Sequence, residues 1–384
     1  MLPAAIKRFL LLAAALPPLS VAAQTGSKDL NPIPVAIPIM NISPDARAAG
    51  MGDMGVATTP DVNSQHYNAA KYPFAEPQMG IGLSITPWLA NLVQDVNITY
   101  GSFFYRIGKM QSVGMSIRYF SLGEMEIMND NGYFVTAVKP NEFTIDLSYA
   151  RRFGKHISAA LTPRYIRSDL TGGFAEGGGV GNISPANAFS IDMAVYYQST
   201  HNDNDYAWGA TITNMGTKIA YIKENTDRYF LPAALHLGGQ YTFNVDADNS
   251  FMVGLELSKL LVPTPPIRDS GVIVLGQNSA VGAVEGLFQS FYDAPYGWQE
   301  ELSEVMVGAG VEYGYRKLFF ARGGYFHDSK RKGNRRYITF GAGIKYNFIG
   351  LNVSYLYPFT TMDPLSNTLR VSLLFDFNLL RIAQ

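Results

Sequence analysis

Phe143-Thr144-Ile145-Asp146-Leu147-Ser148-Tyr149 sets a large apolar side chain at every second position and a small or polar one between. A period of two belongs to an extended strand whose two faces meet different surroundings. The pattern recurs in both directions. Upstream, Val113, Met115, Ile117 and Tyr119 alternate with Ser112, Gly114, Ser116 and Arg118; near the C-terminus Leu369, Val371, Leu373, Phe375 and Phe377 alternate with Thr368, Arg370, Ser372, Leu374 and Asp376. Fourteen candidate strands follow, near 80–88, 95–107, 110–121, 142–153, 155–168, 187–199, 205–215, 229–244, 249–262, 303–315, 317–327, 335–348, 350–358 and 367–378. Most reach the ~9–11 residues that cross a bilayer at a tilt, against ~5–6 for an ordinary soluble strand.

The connections test this reading independently, because outer-membrane barrels alternate short periplasmic turns with longer external loops. Short connections follow every even-numbered strand: Gly108-Lys109, Gly154, 200–204, 245–248, Arg316 and Ile349. Long ones lie between, at 122–141, 169–186, 216–228 and above all 263–302. This parity makes the strand count even and assigns both termini to the periplasmic side. Two odd-numbered connections, 89–94 and 328–334, are short, and Tyr133–Lys139 has the composition of a further strand.

Composition agrees. Of 384 residues 47% are hydrophobic and 13% aromatic but only 16% charged, with 37 Gly, whereas soluble domains carry ~25% charge. Mean hydropathy is only +0.02, far below that of a helical membrane bundle, and beyond residue 23 no stretch approaches the ~18 consecutive apolar residues of a spanning helix. A closed β-barrel is the other structure that satisfies every backbone group in lipid. A soluble β-sandwich would also alternate, but with a polar outer face; here aromatics gather at strand ends, as at Phe103, Phe104 and Tyr105, in the manner of interfacial girdles. The net charge of −1 gives no whole-chain attraction to nucleic acid. Zero Cys removes thiolate metal sites and Cys nucleophiles, and five scattered His (His66, His156, His201, His236, His327) make a poor metal centre.

Residues 1–23 have the order of a secretory signal: Lys7 and Arg8, the apolar run Phe9 to Leu16, a break at Pro17-Pro18, then small residues at Val21 and Ala23. Without a Cys after the cleavage point a lipoprotein anchor is excluded. Residues 24–78 do not form spanning strands. Pro32, Pro34, Pro38 and Pro44 lack amide donors and make an extended arm. The run Asp45-Ala46-Arg47-Ala48-Ala49-Gly50-Met51-Gly52 then allows close backbone approach. This segment reads as a plug or hatch for the lumen, with Asp45, Arg47 and Asp53 offered to inward charges such as Arg118, Asp146 or Arg370; a mobile periplasmic tail is the plainer alternative. The organisation is therefore a signal peptide at 1–23, a plug segment at 24–78 and an all-β, antiparallel transmembrane barrel at 79–384 in the outer membrane.

The small-residue stretch after a signal peptide, followed by Asn68-Ala69-Ala70 and fourteen strands, resembles the long-chain fatty acid transporter (FadL-like) family, and within it the barrels of the type IX secretion system. The resemblance spans essentially the whole mature chain, including the Asn31-Pro32-Ile33-Pro34 arm and the 263–302 connection. It departs where the family's Asn-Pro-Ala triplet reads Asn68-Ala69-Ala70, and where Phe377 is followed by seven residues instead of closing the chain. The resemblance implies a non-enzymatic role without cofactor. Cargo bearing a C-terminal secretion domain is collected from the large translocon barrel and delivered to a surface sortase complex that attaches it to lipopolysaccharide. The wider family implies the alternative, transport of hydrophobic small molecules, for which an inward Pro163 kinking strand five would suit a lateral opening.

Two stretches are candidate contact sites. The 263–302 connection holds Phe288, Phe291, Tyr292, Tyr296 and Trp298, rigid aromatics of the kind that make partner hot spots, or a lid packed on the barrel mouth. The turn Asp328 to Arg336 carries Lys330, Arg331, Lys332, Arg335 and Arg336, suited to lipopolysaccharide phosphates, or else a solvated turn. Other motifs fall away. Gly172–Gly181 lacks the Gly-Lys-Ser/Thr ending of a phosphate cradle. Asp203, Asp205, Asp246 and Asp248 lack a Glu-terminated calcium loop. His327-Asp328-Ser329 holds triad residue types, but neighbours in sequence seldom converge, and no Gly-x-Ser-x-Gly elbow exists, so neither a catalytic nor a metal site is assigned.

Overall fold

A computed structural model describes residues 30–88, 95–128, 131, 133–172, 184–222, 228–359 and 368–378. The signal segment, the 89–94 connection, most of the glycine-rich loop and the residues after Asn378 lie outside that set. The chain divides into two compact units, Met1–Leu30 and Asn31–Gln384, and every element below belongs to the second.

Fourteen antiparallel strands close into a barrel. They are β1 (Met79–Pro87), β2 (Val96–Ile107), β3 (Gln111–Leu122), β4 (Asn141–Phe153), β5 (Ile157–Asp169), β6 (Ala186–His201) and β7 (Asn204–Gly216), followed by β8 (Ala234–Asn244), β9 (Asn249–Leu260), β10 (Val305–Tyr315), β11 (Phe319–His327), β12 (Arg336–Tyr346), β13 (Ile349–Pro358) and β14 (Leu369–Phe377). Closure is made by β1 on β14, in register from Met79↔Phe377 to Ile85↔Val371. The extra strand at Phe134–Val138 pairs with Met125–Met128 as a hairpin off the wall and leaves the parity intact. The eighth strand starts at Ala234, later than 229, because Tyr229 bridges back to Ile219.

The alternation has one physical meaning throughout. In β4, Thr144, Asp146 and Ser148 are buried inside while Leu147 and Tyr149 are exposed outside; in β14, Arg370 and Ser372 are buried while Leu369 and Val371 are exposed. Apolar side chains outside and polar ones inside suit a barrel surrounded by hydrocarbon. Two expectations are corrected at this level. Phe104 belongs to no girdle, since it is fully buried and stacks on Tyr72, ring centroids 4.6 Å apart. Pro163 points outward, and interrupts only the ladder to β4, between Asp146↔Arg164 and Tyr149↔Leu161.

The lumen is filled by residues 31–78 in three layers. At the short-turn end Val62, Ala69, Ala70 and Tyr72 pack on Phe104, Ala150, Ala194 and Tyr196. At the long-loop end Ile37, Ile39 and Met40 pack among Trp88, Phe120, Ile166, Leu231 and Phe326. Between them runs a polar belt that the hatch shares with the wall. Asp45 caps helix α1 (Ala46–Ala49) and accepts a hydrogen bond from Tyr67, 2.6 Å. Arg47 grips Glu312 with two nitrogens at 3.1 Å and reaches Asp61 at 2.8 Å. Glu312 also takes Arg322, 2.6 Å. Glu256 accepts the Gly55 and Val56 amides at 2.8 and 3.0 Å.

The expected hatch-to-wall pairing thus exists with other partners. Asp146 and Asp192 clamp Arg164 at 2.7 and 2.8 Å, Arg118 donates to the Ile39 and Met40 carbonyls, and Asp53 accepts from Tyr337. Asn31 lies at the long-loop end, where its amide donates to the Arg331 carbonyl. From Asn31 onward the arm therefore runs into the lumen from that end; the N-terminus itself, assigned to the periplasmic side by the turn parity, lies outside the described residues.

Candidate functional site: a latched external cap

The long connection between β9 and β10 carries a hairpin (Ile267–Asp269 with Val272–Leu275), then helix α3 (Ala283–Gln289) and helix α4 (Trp298–Ser303); the short helix α2 (Ser64–Tyr67) belongs to the hatch. Short helices are marginal alone, so the cap depends on tertiary contacts. The central one begins with a lysine in an unusual register. Phe251, Val253, Leu255, Leu257 and Lys259 share the outward face of β9, so Lys259 continues a lipid-facing row. Its ammonium is covered by the cap, reaching Glu301 at 3.1 Å and also Glu304. Glu304 in turn meets Lys332 of the β11–β12 turn at 2.9 Å, and Lys332 meets Glu300 at 2.7 Å.

Further bonds tie the cap to itself and to the arm. Thr264 donates its hydroxyl to Glu304, 2.5 Å, and its amide to Asp293, 3.0 Å. Asn31 donates through Nδ2 to the Pro265 carbonyl, 3.1 Å, and to Glu300, 3.2 Å. Burial pushes the Asp293 carboxyl up to about 6. Burial also pushes on Glu300, but Lys332 overcomes it and holds that carboxyl below its usual range.

With Glu300, Glu304 and Asp293 turned inward, the cap shows apolar stripes on its exterior, beside exposed charges such as Glu285. Val284, Phe288 and Tyr292, spaced by four, are 69%, 67% and 63% exposed, while Gly286 and Gln289 on the other side of α3 are buried. Trp298 and Leu302, also spaced by four, make a second stripe on α4. Of the five aromatics singled out above, Phe288, Phe291, Tyr292 and Trp298 are exposed; Tyr296 is half-buried. Phe291, Tyr292 and Trp298 also line a groove against the outer wall of β8 and β9.

The basic turn needs correction as a phosphate-facing patch. Lys332 is buried in the carboxylate cluster, and Arg335 is half-buried and paired with Asp328 at 3.1 Å. Lys332 is drawn inward because the cap supplies acids that would otherwise be buried alone, and Arg335 because Asp328 of its own turn is buried. Lys330 is exposed, Arg331 and Arg336 half-buried. His327, Asp328 and Ser329 form no triad: Asp328 serves Arg335, and His327 neighbours Tyr325. A cavity of about 280 Å³ remains inside the barrel, lined in part by His66, Arg164, His236, Glu256, Tyr337 and Arg370. Among the described residues no group of three or more His, Asp or Glu side chains is arranged to hold a metal ion.

Asn31, Lys259, Glu300, Glu301, Glu304 and Asp293 escaped the sequence reading. A lysine on the lipid-facing parity of a strand was the available signal, since such a charge requires a partner.

Comparison with known proteins bears on what this arrangement serves. The family described as "Type IX secretion system protein PorV" matches residues 25–267. None of the curated proteins matches significantly. Among solved structures, the toluene transporter TodX of P. putida aligns with TM-score 0.50 at 11% identity, covering 87% of this chain and 98% of that one. A TodX deltaS2S3 mutant, described as a monoaromatic hydrocarbon channel, gives 0.51 at 10% identity over 87% and 98%. The toluene transporter TbuX of Ralstonia pickettii gives 0.48 at 12% over 89% and 100%. At these identities the likeness is one of fold.

Proposed function

The chain belongs to the PorV family of type IX secretion system proteins, and on that premise we propose that this outer-membrane barrel binds secreted cargo by the cargo's C-terminal domain, on its external cap, and carries it from the translocon barrel to the surface sortase complex. The observation that carries this reading is the exposed stripe Val284, Phe288 and Tyr292 on a cap held to the barrel by buried ion pairs. Contiguous exposed apolar surface of this kind marks interaction sites, and large aromatics on a rigid support lose little entropy when they bind. The filled lumen supports the same reading, because the plug layers leave no passage for a folded domain and put the available chemistry on the outside.

The test is a pull-down of a cargo C-terminal domain by the detergent-extracted barrel. Replacing Val284 and Phe288 with Ser should leave the barrel folded and cut recovery roughly tenfold or more, as the loss of a central apolar anchor does. Recovery equal to wild type would overturn the assignment of the stripe.

A further inference from the structure

We infer that the groove between the cap and the outer wall of β8 and β9 holds an acyl chain of an outer-leaflet lipid. The groove encloses about 590 Å³. Its floor is Leu237 of β8 and Leu257 of β9, with Val305 at the start of β10; its roof is Phe291, Trp298 and Leu302. The floor residues occupy the outward register of their strands, the row that continues down the wall through Leu255, which is half exposed to the membrane. The groove is thus continuous with the lipid-facing surface, and lipid already covers the lower end of its floor.

Charge and geometry exclude the simpler fillings. The charged groups at the groove are Lys259 and Glu301, and they neutralise each other at 3.1 Å. Water needs two to four polar partners to be held, which the leucine and aromatic walls do not offer. Left empty, the walls would forfeit dispersion contacts over their whole area. An acyl chain meets all three conditions. Trp298 also fits, since its indole favours the membrane interface. The cap's aromatic and apolar side chains then serve two surfaces that meet at Tyr292. Phe291, Tyr292 and Trp298 line the groove, while Val284 and Phe288 line no part of it and stay free for protein. Lipid in the groove does not depend on cargo binding.

The experiment reads Trp298 fluorescence in the full chain, reconstituted into phosphatidylcholine vesicles whose acyl chains are brominated at mid-chain, with unbrominated vesicles as reference. The Trp298 signal is the difference between wild type and Trp298→Phe, so the buried Trp88 is left untouched, and resistance of the folded barrel to heat in detergent checks both proteins. The expected result is loss of most of that signal in brominated vesicles and little loss to aqueous iodide. The reverse pattern would overturn the inference and return the groove to the set of protein-docking surfaces. As a second readout, native mass spectrometry after mild extraction should show one retained lipid on the wild type and none on Leu302→Gln; equal occupancy, or none on either, would equally overturn it. No cargo or partner enters these measurements, so their failure is separable from failure of the proposed function.

Discussion

Glu312 shows how much a single inward side chain carries in this barrel. It faces Arg47 from the hatch and Arg322 from the neighbouring strand, with both contacts nearly closed to solvent. Replacing it with Gln keeps the shape but leaves Arg322 without an anion and Arg47 with Asp61 alone, and breaking a buried pair from one side costs about 3–5 kcal/mol. Glu312→Gln should therefore lower the thermal unfolding midpoint in detergent by several degrees, whereas Lys317→Ala, which removes an exposed 3.6 Å pair with Glu76, should leave it unmoved. Asp293 makes a prediction of opposite character. Its folded-state carboxyl lies at about 6 against an ordinary 3.8, so the native cap binds this proton more tightly than the open one. The stabilisation is full below about 3.8 and is lost as pH rises through about 6. Glu300, held low by Lys332, contributes in the other direction and loses its effect on acidification. Protease cleavage of the 263–302 connection should accordingly increase between pH 5 and 7 in the wild type, and Asp293→Asn should flatten that rise; an unchanged slope would remove Asp293 from the latch.

The hatch backbone seats against the wall at wall glycines. A Cβ added at Gly324 would collide with the Gly52 amide nitrogen, and one at Gly209 with the Val56 carbonyl. Both obstacles are backbone and cannot rotate away. Gly324→Ala should therefore leave a folded barrel with a displaced hatch, seen as faster proteolysis within residues 45–60, while Gly101→Ala, with nothing within 4 Å, should behave as wild type. Small residues on the hatch were legible as a sign of close approach, and alternation revealed every wall strand, because lipid outside and polar plug inside impose opposite demands on successive residues. The charge partners were not legible. Which strand row faces Arg47 depends on barrel shear and on the height at which the hatch sits, and neither leaves a local trace near Arg47 or Glu312. The cap aromatics were visible as residues, but their outward direction follows from Lys259, Glu300, Glu304 and Lys332 drawing the polar face inward.

Taken whole, the molecule is a barrel closed twice. The hatch blocks the short-turn end through Tyr72 and its alanine neighbours, and the arm blocks the long-loop end through Ile37, Ile39 and Met40, with the ion-paired belt between. The arm also reaches out of the lumen to hold the cap, since Asn31 bonds Pro265, Glu300 and the Arg331 carbonyl. Closure and cap order are thereby linked through one segment, and the link can be tested by conductance. The wild type should show no steady current in planar bilayers. Deleting 31–42 removes one layer and the cap's inner tie but leaves the hatch and belt, so current should stay near zero while the cap becomes more protease-sensitive. Combining that deletion with Glu312→Gln and Glu256→Gln weakens two of the hatch's wall anchors, with bonds such as Gly52 to Thr339 and Asn68 to the Val195 carbonyl remaining, and should produce brief openings. Steady current from the wild type, or from the arm deletion alone, would show that the lumen is a working conduit and would favour the passage of small molecules over a role confined to the external cap.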